Sequence, residues 1–473
     1  MIPLRLAEIA EVTGGHLVGG DPLTTVTGPV EFDSRKVGPG GLFVAFVGEH
    51  ADGHDFATAA MAAGAVAVVG TRPVDAPTIV VEDSLAAMGR LARAVVDRLA
   101  QLRIIGVTGS SGKTSTKDLI AQLLARLGPT IAPAGSFNNE LGLPHTVLKA
   151  DAQTRFLVLE MGARGPGHIS YLCGIAPPQV GVVVNVGVAH IGEFGTVDAI
   201  AAAKAELVAA LPETGLAVLN GDDERVRAMA TQTRAEVLLA GEGPHTLVRA
   251  EEVTLDDRGR AAFRLVTPDG SAPVRLAVSG RHQVGNALLA AAVAHREGMP
   301  LPELAVALGE CRPVSARRMD VFDRPDGVTV IDDSYNANPA STAAALRALA
   351  AIGAGRRRIA VLGYQAELGE QERAGHEQVG RLAAELGVER VVVVGAAAGP
   401  IHDGALSVAG WGGESEQVSD QDAAVEWLGA HLRPGDVVLV KGSRYQTWRV
   451  ADALRQPTLA GAAGVEQTEA VRS

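Results

Sequence analysis

The segment GVTGSSGKTSTKD at 106–118 carries residue types that handle phosphate. Gly109 and Gly112 allow a tight turn, Lys113 supplies a cation, and the Thr114 hydroxyl can ligate a hard metal such as Mg²⁺. Backbone N–H groups at the start of the following helix point at phosphate oxygens. The spacing is not the usual G-x-x-x-x-G-K-[ST], because Val107 stands where the first glycine would fall. The strand RIIGVTG before the loop and the helix STKDLIAQLLARLG after it supply the strand–loop–helix context the motif requires. A plain Gly/Ser turn before an ordinary helix is the weaker reading.

Further candidates stand at strand ends, where open α/β sheets hold their ligands. FLVLEMGA places Glu160 there and VVVNVGVAH places His190. VIDDSYNANPAS brings Asp333, Ser334, Tyr335 and Asn336 to such a mouth, with Pro339 opening the next helix. LVKGSR does the same with Lys441 and Arg444. Arg281, His282 and Asn286 lie in the first turns of a helix in GRHQVGNALLAAAVA, and RPVSARRMDVF gathers three arginines that could clamp phosphate. Each of these has an ordinary structural explanation when taken alone. Lys204, in AIAAAKAELVAAL, reads by spacing as a solvent-facing lysine.

The elements that must position these residues form three α/β units. Residues 1–82 hold short apolar strands (LFVAF, AVAVVG, PTIVVED) around a helix in HDFATAAMAAG. Residues 83–311 open with the amphipathic helix SLAAMGRLARAVVDRLA. They continue through strands RIIGVTG, FLVLEMG, VGVVVNVG and LAVLN, each separated by helical stretches. That alternation predicts a parallel sheet covered on both faces. Residues 245–280 read as antiparallel strands around a turn. Residues 312–473 restart the rhythm with VTVIDDS, RIAVLG, RVVVVG and DVVLVKG, and the chain is expected to fray from about 456. The expected fold is a central P-loop parallel-sheet domain between a small N-terminal α/β domain and a Rossmann-like C-terminal one.

Bulk properties narrow the function. The chain of 473 residues has 54 acidic and 42 basic residues, a net charge of −12 that argues against nucleic acid as the main partner. No apolar run reaches membrane-spanning length, and no signal peptide opens the chain, so a cytoplasmic protein is expected. Cys173 and Cys311 do not make a disulfide framework. Monomer is the default expectation.

Taken in order, T-G-x-x-G-K-T, E-M-G-A, the strand-end histidine, K-A-E, N-A-L-x-A-A and D-S-Y-N-A-N-P resemble the Mur ligase family over about residues 25–455. The resemblance also accounts for the unusual loop spacing. Segments 33–56, FNNELGLP and DSYNANP are similar to the branch that adds D-alanyl-D-alanine to a UDP-N-acetylmuramoyl tripeptide. The resemblance implies ATP with two Mg²⁺ ions and an acyl-phosphate route to an amide bond.

It assigns Thr108, Gly109, Ser110, Ser111, Gly112, Lys113 and Thr114 to the ATP phosphates, with Thr114, Glu160, His190 and Lys204 as metal ligands. Lys204 matches a carbamylated lysine. Lys113, Lys204, His190 and Glu160 are the implied catalytic set. Asn286, Arg318 and Asp333 match residues that reach ATP. Ser34, Glu49, His50 and Ala51 match a UDP site, Asn138 and Asn139 lie where the sugar-peptide passes, and Tyr335, Asn336 and Lys441 are expected at the substrate. The implied domain closure brings the central and last domains together over ATP.

Three places depart from the family pattern: Tyr364–Gln365, Tyr445–Trp448 and Gln283. The first two lie in the domain expected to bind the incoming amine, so another dipeptide or amine stays open as the acceptor. A nucleotide switch lacks its guanine-reading N-K-x-D. A silent precursor-binding protein would not need Lys113, Glu160, His190 and Lys204.

Overall fold

The computed structural model describes residues 1–188, 191–443 and 445–456. Its centre is a nine-stranded sheet. In spatial order the strands are Gly270–Ser279, Arg260–Thr267, Val248–Leu255, Glu236–Gly241, Leu216–Asn220, Val180–Val183, Arg103–Thr108, Phe156–Glu160 and Thr130–Ile131. All neighbours are parallel except the last pairings among Val248–Leu255, Arg260–Thr267 and Gly270–Ser279. The expected antiparallel segment is therefore an extension of the central sheet.

The sequence of the middle strands explains why they are buried on both faces. Ile105 and Val107 enter one apolar cluster while Ile104 enters another; Phe156 and Val158 alternate in the same way with Leu157 and Leu159. Each such side chain contributes about 1.5–3 kcal/mol relative to exposure. Arg103–Thr108 is flanked by two strands from later in the chain, Phe156–Glu160 on one side and Val180–Val183 on the other. The chain thus reverses its winding there, which opens a crevice beyond the strand ends.

The N-terminal sheet orders His16–Val18, Thr78–Val80, Ala65–Gly70, Gly41–Val44 and Val30–Glu31. The helix expected in HDFATAAMAAG is shorter, a 3₁₀ turn Gly53–Phe56 followed by Ala57–Ala62. Leu4, Ile9, Val44 and Ile79 share one core with Leu91 of helix Ser84–Arg98 and with Leu157 and Leu159 of the central sheet. The C-terminal sheet orders Asp320–Asp323, Thr329–Asp332, Val437–Lys441, Arg358–Leu362, Arg390–Val394 and Glu414–Val418. Among the described residues its apolar clusters contain nothing before Met319.

Candidate active site

The phosphate loop is shaped by close approach. Gly109 and Gly112 have φ of 156° and 77°. A Cβ at Gly109 would stand 2.9 Å from Val184 Cβ, and one at Gly112 would stand 2.8 Å from Asn286 Oδ1. Only glycine fits both the dihedral and the space at Gly112. Asn185, one residue beyond Val184, accepts from the Ser110 and Ser111 amides at 3.1 and 2.9 Å through Oδ1. Thr108 ends the strand, buried, and donates to the Met161 carbonyl at 2.8 Å. Lys113 Nζ reaches back to the Gly109 carbonyl at 2.8 Å. Burial pulls its pKa down; Glu160 opposes that pull and Arg318 adds to it.

A second layer of oxygens gathers beside the loop. Thr114 Oγ1 donates to Glu160 Oε2 at 2.8 Å and lies 2.9 Å from Ser136 Oγ. Asn138 Nδ2 donates to the other Glu160 oxygen at 2.7 Å. Arg318, from beyond the central domain, donates to Ser136 Oγ at 3.0 Å and Thr114 Oγ1 at 3.3 Å, and its guanidinium lies over Tyr335. Hydroxyl and carboxylate oxygens are the donors a hard ion such as Mg²⁺ takes, in small number beside phosphate and water. No cluster of three His, Cys, Asp or Glu side chains suited to a metal occurs among the described residues. The donor set therefore fits Mg²⁺ held jointly with a phosphate ligand and does not fit an all-protein metal cage.

Lys204 is not solvent-facing. It is 3% exposed on helix Val197–Ala209 and has no ion-pair partner among the described residues. Burial, with the Lys113 charge adding to it, lowers its pKa to about 7. Its neighbour Glu206 turns away and accepts from the Gly167 and Ser170 amides at the start of helix His168–Ile175. On the facing wall Lys441 is equally buried but donates to Asp333 Oδ2 at 2.5 Å and to the Asn336 carbonyl at 2.9 Å.

A cavity of about 1500 Å³ unites these walls. It is lined by Gly109–Thr114, Asn138, Asn139, Glu160, Lys204 and Asn286, and by Arg318, Asp333, Tyr335, Asn336 and Lys441 from the C-terminal side. Phe32 reaches it from the N-terminal side. Ser34 and the exposed Glu49, His50 and Ala51 do not line it. His190 and Arg444 lie outside the described residues.

The expected arginine clamp reduces to Arg318. Arg317 is drawn to Asp452 at 2.9 Å and stacks on Trp448, and the backbone of Arg312 is bound by Gln122. Arg281 is held by Glu242. Asn286 is buried between Thr116 and Gln283. Asn185 and Ser136 were not anticipated from sequence. A polar residue closing the apolar run VGVVVN was the available signal for Asn185, and none marked Ser136.

The chain also matches known families. The Mur ligase middle domain matches residues 107–294, the Mur ligase glutamate ligase domain 317–444, and the Mur ligase family catalytic domain 29–100. The chain is 50% identical to UDP-N-acetylmuramoyl-tripeptide--D-alanyl-D-alanine ligase of Mycobacterium tuberculosis strain H37Rv, covering 96% of this chain and 98% of the relative. It is 36% identical to the Escherichia coli K12 ligase of the same name, over 94% and 96%. Among solved structures it superposes on MurF from Acinetobacter baumannii with TM-score 0.85 and 31% identity, over 96% and 99% of the two chains. MurF from Thermotoga maritima in complex with ADP gives TM-score 0.77 and 30% identity, over 91% and 98%. With relatives of this identity aligned over nearly its whole length, the chain belongs to the Mur ligase family.

Proposed function

We propose that this chain is an ATP-dependent ligase that joins D-alanyl-D-alanine to a UDP-N-acetylmuramoyl tripeptide, making a cytoplasmic peptidoglycan precursor. The observation that carries the reading is the single cavity in which a phosphate loop faces residues of both flanking units. That is the layout required when a nucleotide, an acid and an amine must meet.

The reaction has two steps. A carboxylate oxygen of the tripeptide takes the γ-phosphoryl group of ATP, the bond to ADP breaks, and an acyl phosphate forms. The dipeptide amine attacks the carbonyl carbon, loses a proton, and phosphate leaves. Neither step needs a protein nucleophile; both need positioning and charge neutralisation. Lys113, Arg318 and the loop amides would hold the phosphates. Asp333 and Lys441 would order the opposite wall, and Asn138 would orient Glu160. Thr114, Glu160, His190 and Lys204 would hold magnesium, which when bound neutralises phosphate charge. A lysine with a pKa near 7 is about half present at neutral pH as the neutral amine that CO₂ requires. Carbamate formation there would turn a cation beside Lys113 into an anion.

The test is a coupled assay with the UDP-tripeptide, ATP and D-alanyl-D-alanine, reading phosphate release together with the mass of the amide product. Stoichiometric product is expected. ATP hydrolysis without product would overturn the reading. A second reading keeps the chemistry and changes the amine. It is favoured by Gln365, which is 1% exposed with both side-chain amide atoms unpartnered, beside the stacked pair Tyr364–His376. Turnover with another dipeptide but not with D-alanyl-D-alanine would select it.

A further inference from the structure

The segment joining the central and C-terminal units lies along one face of the phosphate-loop helix Lys113–Leu124. Gln122 brackets Arg312: its Nε2 donates to the Arg312 carbonyl at 3.0 Å, and its Oε1 accepts from the Arg312 amide at 2.9 Å. One turn earlier, Asp118 Oδ2 accepts from the Ser315 amide at 3.1 Å. One turn earlier again, Thr114 Oγ1 accepts from Arg318. Just past the helix, Arg126 pairs with Glu310. Residues 114, 118, 122 and 126 recur every four positions, so they share one helix face. They meet 318, 315, 312 and 310 in reverse order.

Asp118 is itself fixed by Lys117. That lysine has no exposed surface, pairs with Asp118 at 2.6 Å and donates to the Pro133 carbonyl at 2.5 Å. The same helix thus braces the loop that carries Ser136 and Asn138.

Features of the joining segment oppose this ladder. Arg317 and Met319 adopt φ of 61° and 54°, the left-handed region that disfavours residues with a side chain. Ser315 Oγ and Arg318 Nε are buried without partners. Such strain persists only where surrounding contacts impose it: Asp452, Trp448 and the Tyr335 amide hold Arg317, Asp333 holds the Met319 amide, and Gln122 and Asp118 anchor the chain just before them.

We infer that Asp118 and Gln122 are positioning residues: they peg the joining segment to the phosphate-loop helix so that Arg318 is delivered to Thr114 and Ser136. Neither lines the large cavity. The inference rests on the ligase reading for its kinetic test and on geometry alone for its exchange test.

The kinetic test is a double-mutant cycle on the full chain. Gln122→Ala alone should lower kcat about tenfold, with KM for the peptide substrate within about twofold. In an Arg318→Ala background the same change should have almost no further effect, because its action passes through Arg318. Gln122→Glu, which keeps the acceptor for the Arg312 amide, should recover part of the loss. The second measurement is hydrogen exchange without ligands. Gln122→Ala and Asp118→Asn should each speed exchange at the Arg312 and Ser315 amides while leaving strand Arg103–Thr108 protected. Independent, multiplying losses in the cycle would overturn the inference, and so would unchanged exchange at 312–315. A wild-type enzyme without turnover would refute the ligase reading and leave the exchange result to decide the ladder.

Discussion

Two buried lysines face each other across the cavity and differ in one respect. Lys441 has a carboxylate, Asp333, at 2.5 Å; Lys204 has none among the described residues and has Lys113 for company. Burial lowers both pKa values, but at Lys441 Asp333 works against the shift. A buried ammonium with a partner is a structural element that fixes the groups around it. A buried ammonium without one is poised to give up its proton or to react. The C-terminal wall is therefore tied together by a buried ion pair, while the central wall carries a buried lysine without one among the described residues.

The contrast breaks most visibly at Lys204. Lys204→Ala should lower turnover about a thousandfold, with partial rescue by small carboxylates such as formate that stand in for a carbamate. Full activity in the ligase assay would remove Lys204 from the mechanism.

Lys441 should answer in stability rather than chemistry. Asp333→Ala leaves a buried ammonium unpaired and should cost the C-terminal unit about 3 kcal/mol, measured by denaturant unfolding. A loss no larger than that of an exposed pair would erase the distinction between the walls.

A pH titration sharpens it. Lys204 has a folded pKa of about 7 against an ordinary 10.5. Between those values the unfolded chain holds a proton that the folded one lacks, so stability rises with pH; below 7 both forms are protonated and the penalty is constant. In CO₂-free buffer, wild type should gain about 2–3 kcal/mol relative to Lys204→Met between pH 7 and 9. Parallel curves would place Lys204 in solvent.

The smallest effect concerns the acceptor end. Gln365→Met replaces an unpartnered buried amide with an isosteric apolar chain and should stabilise the C-terminal unit by about 1–2 kcal/mol. A loss of stability would mean that the amide is satisfied in solution.

Much of this was legible in sequence because it is local. The phosphate loop, Glu160 at its strand end, Pro339 at the start of helix Pro339–Ile352 and the alternation of strands and helices are each written within a dozen residues. What escaped is what folding brings together. The Asp118–Ser315 contact spans 197 residues of chain, and nothing around either residue announces the other. Lys204 sits in an alanine-rich helix whose pattern fits a solvent-facing lysine as well as a buried one. The arginines of RPVSARRMDVF are alike in sequence, yet the Arg317 guanidinium is taken by Asp452 and Trp448 and that of Arg312 by the Gly309 and Cys311 carbonyls.

One feature of the core sets the mechanics. Leu4, Ile79, Leu91 and Leu157 share a single apolar interior, whereas the clusters after Met319 are self-contained. A sliding joint cannot run through a common interior without exposing it to water. The first two thirds are therefore joined through one interior, and the last third is packed around its own. A swing of the last third would open the cavity between them without parting either interior.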